Sequence, residues 1–183
     1  NTTGANNTVV GYNAGLNTST ASQVVFVGGR AGQASTGDYG TFVGYGAGQF
    51  NTSGANNSFF GNGAGNNNTT GGNNVALGFG SLQSNTTASN NTAVGYQAGY
   101  GNTTGGNNTA VGYHAGYTNT TGTNNIFLGL QSGYGSTGSY AICIGIQAGY
   151  NNTEATYGNT FVGYYAGRSN TSGVNVAVGS YAG

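Results

Sequence analysis

The sequence predicts an all-β fold, a parallel β-solenoid (β-roll) of about eleven coils with roughly 17 residues per coil and uncapped ends. Three observations predict it. Glycine recurs at Gly11, Gly28, Gly44, Gly61, Gly78, Gly95, Gly112, Gly129, Gly145, Gly163 and Gly179, at intervals of sixteen to eighteen residues. That period is too short for a helix-pair repeat and fits one turn of a solenoid. The residue before each of these glycines is aliphatic or Phe in all eleven copies, from Val10 and Val27 to Val162 and Val178, so the apolar phase never slips. The chain also lacks Pro, and its Gly, Asn and Thr richness keeps that phase throughout, which separates it from a flexible low-complexity linker.

Positions are counted from the anchor glycine. Position −3 carries Thr, Ser, Val or Ile, as at Thr8, Val25, Ile126, Ile142, Thr160 and Val176. Residues two apart on a strand share a face, so −3 and −1 are expected to form a short β-branched strand directed inward. Position −2 then points outward. It alternates Ala with large apolar residues, and Phe26, Phe42, Phe59, Phe127 and Phe161 are expected to form an exposed stripe, a candidate interface for a trimer or for lateral packing in a fibre. The alternative is that a second layer of the same chain covers them.

Past the anchor, position +1 is commonly large, as at Tyr12, Tyr45, Phe79, Tyr96, Tyr113 and Tyr164. Position +3 is always Ala or Ser, small enough for the opposite wall of a thin coil. Position +4 is Gly except at Leu82, which suits a tight corner. Position +5 carries a Tyr ladder of Tyr100, Tyr117, Tyr134 and Tyr150. Stacked aromatics at strand spacing seal a corner, or offer a platform for sugar rings or a neighbouring rod. Position −4 is Asn in Asn7, Asn57, Asn74, Asn91, Asn108, Asn125, Asn159 and Asn175, a ladder able to satisfy corner backbone groups. Val24, Gly40 and Ala141 interrupt it, and those coils are expected to be less regular.

The corner between coils spells Asn-Thr-Thr or Asn-Thr-Ser. It yields N-glycosylation sequons at Asn1, Asn17, Asn51, Asn68, Asn85, Asn102, Asn119 and Asn170, expected at an exposed corner. Thr2, Thr20, Thr36, Thr69, Thr86, Thr103, Thr120 and Thr137 lie near the same corner. A flat ice-binding face needs two outward Thr on alternate strand positions, whereas adjacent Thr residues present one per face.

Charged residues are 2% of the chain, namely Arg30, Arg168, Asp38 and Glu154, with net charge zero, so no electrostatic footprint for nucleic acid exists. No apolar run approaches the ~20 residues of a membrane span, and no signal peptide is visible. His114, Cys143, Asp38 and Glu154 are each scattered, so no triad, acid pair or metal cluster can be assembled and neither enzyme activity nor a cofactor is expected. Cys143 has no partner for an intramolecular disulfide and reads as a small buried hydrophobe.

The stretches Asn91, Thr92, Ala93, Val94, Gly95 and Asn108, Thr109, Ala110, Val111, Gly112 resemble the head repeat of YadA-type trimeric autotransporter adhesins. Similar repeats occur in phage tail-fibre-like and large bacterial surface proteins. The resemblance covers the strand half of every copy, and this chain adds an NTTG corner. It implies a left-handed parallel β-roll, trimerisation and binding of host surface or matrix. Taken together, residues 1–183 read as one continuous solenoid domain, a segment or protomer of a longer fibre. Its expected role is that of a non-catalytic extracellular or cell-surface fibre or adhesin shaft that self-associates end to end, side by side or as a trimer. The alternatives are a glycan- or surface-binding module using the Tyr and Thr ladders, and an ice-binding protein.

Overall fold

The computed structural model describes residues 3–153, 158–171 and 173–183. Asn1, Thr2 and Glu154, named above, lie outside the described residues. Each anchor glycine ends a three-residue strand: β1 Thr8–Val10, β2 Val25–Val27, β3 Thr41–Val43, β4 Ser58–Phe60, β5 Val75–Leu77, β6 Thr92–Val94, β7 Thr109–Val111, β8 Ile126–Leu128, β9 Ile142–Ile144, β10 Thr160–Val162 and β11 Val176–Val178. The eleven strands form one sheet in sequence order, so the chain is an all-β parallel solenoid, one strand per coil. Pairing is parallel and in register, position for position, as in Thr92↔Thr109, Ala93↔Ala110 and Val94↔Val111.

Backbone geometry explains why the strands are so short. Position −5 is left-handed, for example Asn56 at φ 58° and Asn107 at φ 59°, a conformation Asn tolerates better than most residues. The anchor glycine closes the strand at φ between 126° and 136°, a region that residues with a Cβ rarely adopt. Space forbids a side chain there as well: a Cβ built on Gly44 would lie 2.6 Å from the Gly61 carbonyl carbon of the next coil. The expected break in regularity at Val24, Gly40 and Ala141 is absent from the sheet. Register runs unbroken through β2, β3 and β9, and the Val24 and Ala141 N–H groups still donate to Asn7 and Asn125 Oδ1 at 3.1 and 2.8 Å.

The two faces of the strand are reversed from the expectation. Phe26, Phe42, Phe59, Phe127 and Phe161 are buried at 0–1% exposure, as are Ala76, Ala93 and Cys143, and Ala110 is 4% exposed. Position −2 therefore points into the coil, while −3 and −1 point out: Leu77 is 48% exposed and Val75 40%. The Phe residues are not an interface between chains. The physical reason lies at position +4 across the coil. A Cβ on Gly32 would meet the Phe26 ring at 2.7 Å, and one on Gly48 the Phe42 ring at 2.7 Å, so each Phe fills the room its glycine vacates. Leu82, the one departure from Gly at this position, is 2% exposed and sits in the coil whose −2 residue is Ala76. Successive rings stack along the axis, Phe26 on Phe42 at 4.9 Å and Phe42 on Phe59 at 5.0 Å. The small residue expected at +3 lines this core, with Ala31, Ala47, Ala64, Ala98 and Ala115 all at 0% exposure.

Two Asn ladders flank the apolar column. The −4 ladder forms as expected, with each Oδ1 accepting the backbone N–H of the next Asn, as in Asn74 N to Asn57 Oδ1 at 2.9 Å and Asn108 N to Asn91 Oδ1 at 2.8 Å. The second ladder, at +7, consists of the sequon asparagines themselves. Asn68 Nδ2 donates to Asn51 Oδ1 at 2.6 Å, Asn85 Nδ2 to Asn68 Oδ1 at 2.6 Å and Asn102 Nδ2 to Asn85 Oδ1 at 2.8 Å.

Candidate functional site

The surface with the greatest capacity for interaction is the outer face of the sheet. Alternation sends −3 and −1 outward, and +1 continues the same surface beyond the anchor glycine. Three columns result: Val25, Val75 and Ile126 among Thr8, Thr41, Thr92 and Thr109 at −3, then Val10, Phe60, Leu77, Val111 and Ile144 at −1, then Tyr45, Phe79, Tyr96, Tyr113, Leu130 and Ile146 at +1. The +1 rings stack along the axis, Phe79 on Tyr96 and Tyr96 on Tyr113 at 5.3 Å each. None of the charged side chains among the described residues falls in these columns. Arg30 lies over the Tyr45 ring at 5.8 Å, Arg168 over Tyr165 at 4.9 Å, and Asp38 accepts the Ser22 N–H at 2.7 Å. Apart from the Arg30 guanidinium over Tyr45, the sheet presents a broad, largely apolar face, which is a different stripe from the one the sequence suggested.

The Tyr ladder is continuous. Tyr100, Tyr117, Tyr134 and Tyr150 stack at 5.1, 5.1 and 5.0 Å with interplanar angles of 3–7°. Their π-faces are therefore occupied by one another, and Arg168 lies 5.6 Å from the Tyr150 ring. Stacking a sugar needs a free ring face, so this arrangement presents ring edges and hydroxyls instead. His114 packs against the ladder, 4.0 Å from the Tyr113 ring and 4.7 Å from Tyr117. Its Nε2 lies 2.9 Å from Gln97 Oε1. Burial lowers its pKa below 6.5 and raises that of Tyr117 above 10.0, the latter with added repulsion from Tyr100, Tyr134 and Tyr96.

The corner expectations divide. Asn51, Asn68, Asn85, Asn102 and Asn119 are 0–2% exposed, so a glycan on any of them is incompatible with the folded coil. The reason is that their amides are the rungs of the inner ladder. Asn17 is offset by one residue, since Thr18 takes the buried +7 place, and Asn17 is exposed. Asn170 is half-buried and donates to Asn152 Oδ1 at 3.2 Å. The first Thr of the corner is tied to its neighbour: Thr52, Thr69, Thr86 and Thr103 Oγ1 donate to the carbonyl of Thr69, Thr86, Thr103 and Thr120 at 2.9–3.0 Å. These hydroxyl donors are spent along the axis rather than offered to an outside lattice.

Among the described residues, the remaining reactive side chains stand apart from one another. Cys143 is fully buried in the −2 column, and burial pushes its thiol up to about 12, so it stays protonated and inert. His114 is on the outside and Asp38 caps a backbone N–H, so these three do not converge. Among the described residues no group of three or more His, Cys, Asp or Glu could hold a metal ion, and no helix is long and apolar enough to cross a membrane. Sequence reasoning missed the second Asn ladder and the −2 to +4 complementarity. The signal for the latter was present, since Leu82 departs from Gly in a coil where −2 is Ala.

Comparison with protein-family models, curated proteins and solved structures returns no match for this chain. Its own geometry places it in the broad class of β-solenoid repeat proteins.

Proposed function

We propose that this solenoid is a structural segment of an extracellular fibre or surface-adhesin shaft, and that a second copy of the chain packs on the outer face of its sheet. The observation that carries the reading is the largely apolar face built from positions −3, −1 and +1, whose columns contain no charged residue. Five residues at about 3.3 Å each and eleven coils at about 4.8 Å give a face of roughly 870 Å², comparable with the ~800 Å² per partner of a standard stable interface. Two copies share one axial repeat, so their Val, Leu and Tyr columns can stay in step along the whole length. The face also fits a scaffold that contributes surface and stiffness rather than chemistry.

Sedimentation equilibrium of the intact chain tests the proposal, with Val94→Lys/Val111→Lys as the comparison. Both positions point outward at −1, so the variant keeps the core and places two charges in the middle of the face. Association of the native chain that the variant abolishes, with an unchanged far-UV spectrum, is the expected result. A native chain that stays monomeric at high micromolar concentration overturns the packing of copies on this face.

A further inference from the structure

We infer that this rod carries N-linked glycans on a column of asparagines at position −5, Asn6, Asn56, Asn90 and Asn107, and not on the buried asparagines of the Asn-Thr-Thr corner. Such glycans rest on the extracellular location proposed above, because their donor and transferase belong to an export route. Each of the four opens an Asn-Asn-Thr or Asn-Asn-Ser triplet, in which Thr8, Ser58, Thr92 and Thr109 supply the hydroxyl residue of the acceptor motif. The middle Asn is the −4 rung.

Backbone geometry sorts the three members of the triplet. Position −5 is left-handed, at φ 59°, 58°, 62° and 59° in the four coils, and all four side chains are exposed. The backbone there is fixed to the preceding coil, as in Asn90 N to Gly72 O and Asn107 N to Ser89 O at 3.1 Å each. The side-chain amides of the four make no hydrogen bond within the chain. Position −4 turns inward to its ladder, as in Asn108 N to Asn91 Oδ1 at 2.8 Å. Position −3 turns outward again, with Thr8 exposed, Ser58, Thr92 and Thr109 half-buried, and their hydroxyls equally unbonded within the chain. Amide and hydroxyl thus stand free on either side of a buried residue.

The transfer itself shows why the corner asparagines are unsuitable. Asn Nδ2 bonds to the anomeric carbon of a lipid diphosphate-linked oligosaccharide, the carbon–oxygen bond to the diphosphate breaks, and Nδ2 gives up one of its two protons as the lipid diphosphate leaves. Asn85 Nδ2 already spends both protons, on Asn68 Oδ1 at 2.6 Å and on the Ala88 carbonyl at 3.0 Å. Substituting either one breaks a buried rung. At −5 nothing is lost.

Left-handed φ does not by itself account for the pattern, since Gln23, Tyr39 and Tyr140 hold 58–60° at the same place. Asn73 and Asn124 share the position and the exposure, but Val75 and Ile126 follow them at −3, so they are internal controls without the hydroxyl. Exposed triplets also begin at Asn17 and Asn67. There the Thr18 and Thr69 hydroxyls are tied to the Gly32 and Thr86 carbonyls at 3.4 and 2.9 Å. Asn151 opens another beside residues 154–157, which lie outside the described residues.

The full chain, secreted from a eukaryotic cell behind a cleavable leader, tests the assignment. Peptide N-glycosidase converts each occupied Asn to Asp, and mass mapping of the folded fraction then locates it. Conversion is expected within the −5 set and at none of Asn68, Asn85, Asn102, Asn73 and Asn124. Thr92→Val/Thr109→Val, which copies Val75 of β5, should abolish the signal at Asn90 and Asn107, whereas Thr87→Ala, which erases the Asn85 triplet at an exposed position, should change nothing. A folded chain unmodified at all four positions, or occupied at Asn68 or Asn85, overturns the inference. Should secretion fail, the purified folded chain incubated with an oligosaccharyltransferase and its lipid-linked donor decides by the same mapping. Sedimentation reads the packing of copies separately, so a monomeric chain with an occupied −5 column counts against that packing alone.

Discussion

The pairing of a large residue at −2 with glycine at +4 makes a quantitative prediction at the one coil that reverses it. Leu82 and Ala76 occupy the places that Gly48 and Phe42 hold two coils earlier. Replacing Leu82 by Gly removes a side chain that is 2% exposed, at a cost of about 2–5 kcal/mol for the lost burial and the cavity left behind. Leu82 also holds a left-handed φ of 48°, and Gly relieves about 1 kcal/mol of that strain, leaving a net loss of roughly 1–4 kcal/mol. Ala76→Phe alone forces a ring into space Leu82 already fills, which costs about 1–3 kcal/mol by overpacking. Combined, the two substitutions rebuild the Phe and Gly arrangement and extend the Phe26, Phe42, Phe59 stack by one ring. The double variant is expected within about 1 kcal/mol of the native chain, a coupling well above the ~0.5 kcal/mol of independent sites. Urea midpoints at constant m-value measure it. Additive losses in the double variant would refute the complementarity.

Two further outcomes follow from the backbone and from the ladder surface. Gly61→Ala should prevent a stable coil, because φ is +135° and the new Cβ would meet the Gly78 carbonyl oxygen and carbon of the next coil. Circular dichroism and a thermal melt would read the loss, and a native-like melt would remove the reason given for the anchor. His114 has a pKa lowered by burial, so the unfolded chain binds its proton more readily than the folded one. Stability is then full above about pH 6.5 and falls as pH drops from there through the folded pKa. In His114→Gln, which copies Gln97 and Gln131 of the adjoining coils, urea midpoints at pH 7.5 and 5 should differ less than in the native chain.

Fold class, coil number and coil boundaries were legible because glycine at the anchor is enforced twice, by φ and by the next coil's carbonyl, and so recurs without exception. The direction of the strand was misread for a physical reason. Uniform apolarity at −1 looks like a core, while Asn at −4 looks like a surface, since Asn is mostly exposed in globular proteins. In a coil this thin the interior admits only one strand side-chain column beside the Ala of the far wall. The −1 residues then face out, and −4 and −2 face in together. What makes a buried Asn acceptable is the neighbouring coil. The Asn57 amide spends Oδ1 on the Asn74 N–H and Nδ2 on the Gly71 carbonyl, so desolvation is matched by charge-neutral bonds that repeat along the axis.

That same repetition sets what the surface can do. Many of the polar and aromatic groups that might have read a ligand are turned to the next coil: corner Thr hydroxyls to Thr carbonyls, +7 Asn amides to Asn amides, ladder Tyr faces to Tyr faces. A residue used in this way is removed from outside recognition, whatever its type. The −3 and −1 side chains lack such engagement, because the coil-to-coil bonds there are made by the backbone, as in Gly95 N to Leu77 O at 2.8 Å, whereas the +1 rings of Phe79, Tyr96 and Tyr113 stack along the axis. On the packing proposed above, recognition by that face rests on shape and periodicity, which a partner with the same coil repeat would match. The sequon asparagines make the converse point. Asn85 and Asn17 carry the same three-residue motif, yet a shift of one place against the anchor puts Asn85 inside the ladder and Asn17 in water. Distance from the glycine, rather than the local motif, decides which chemistry a residue of this rod can show.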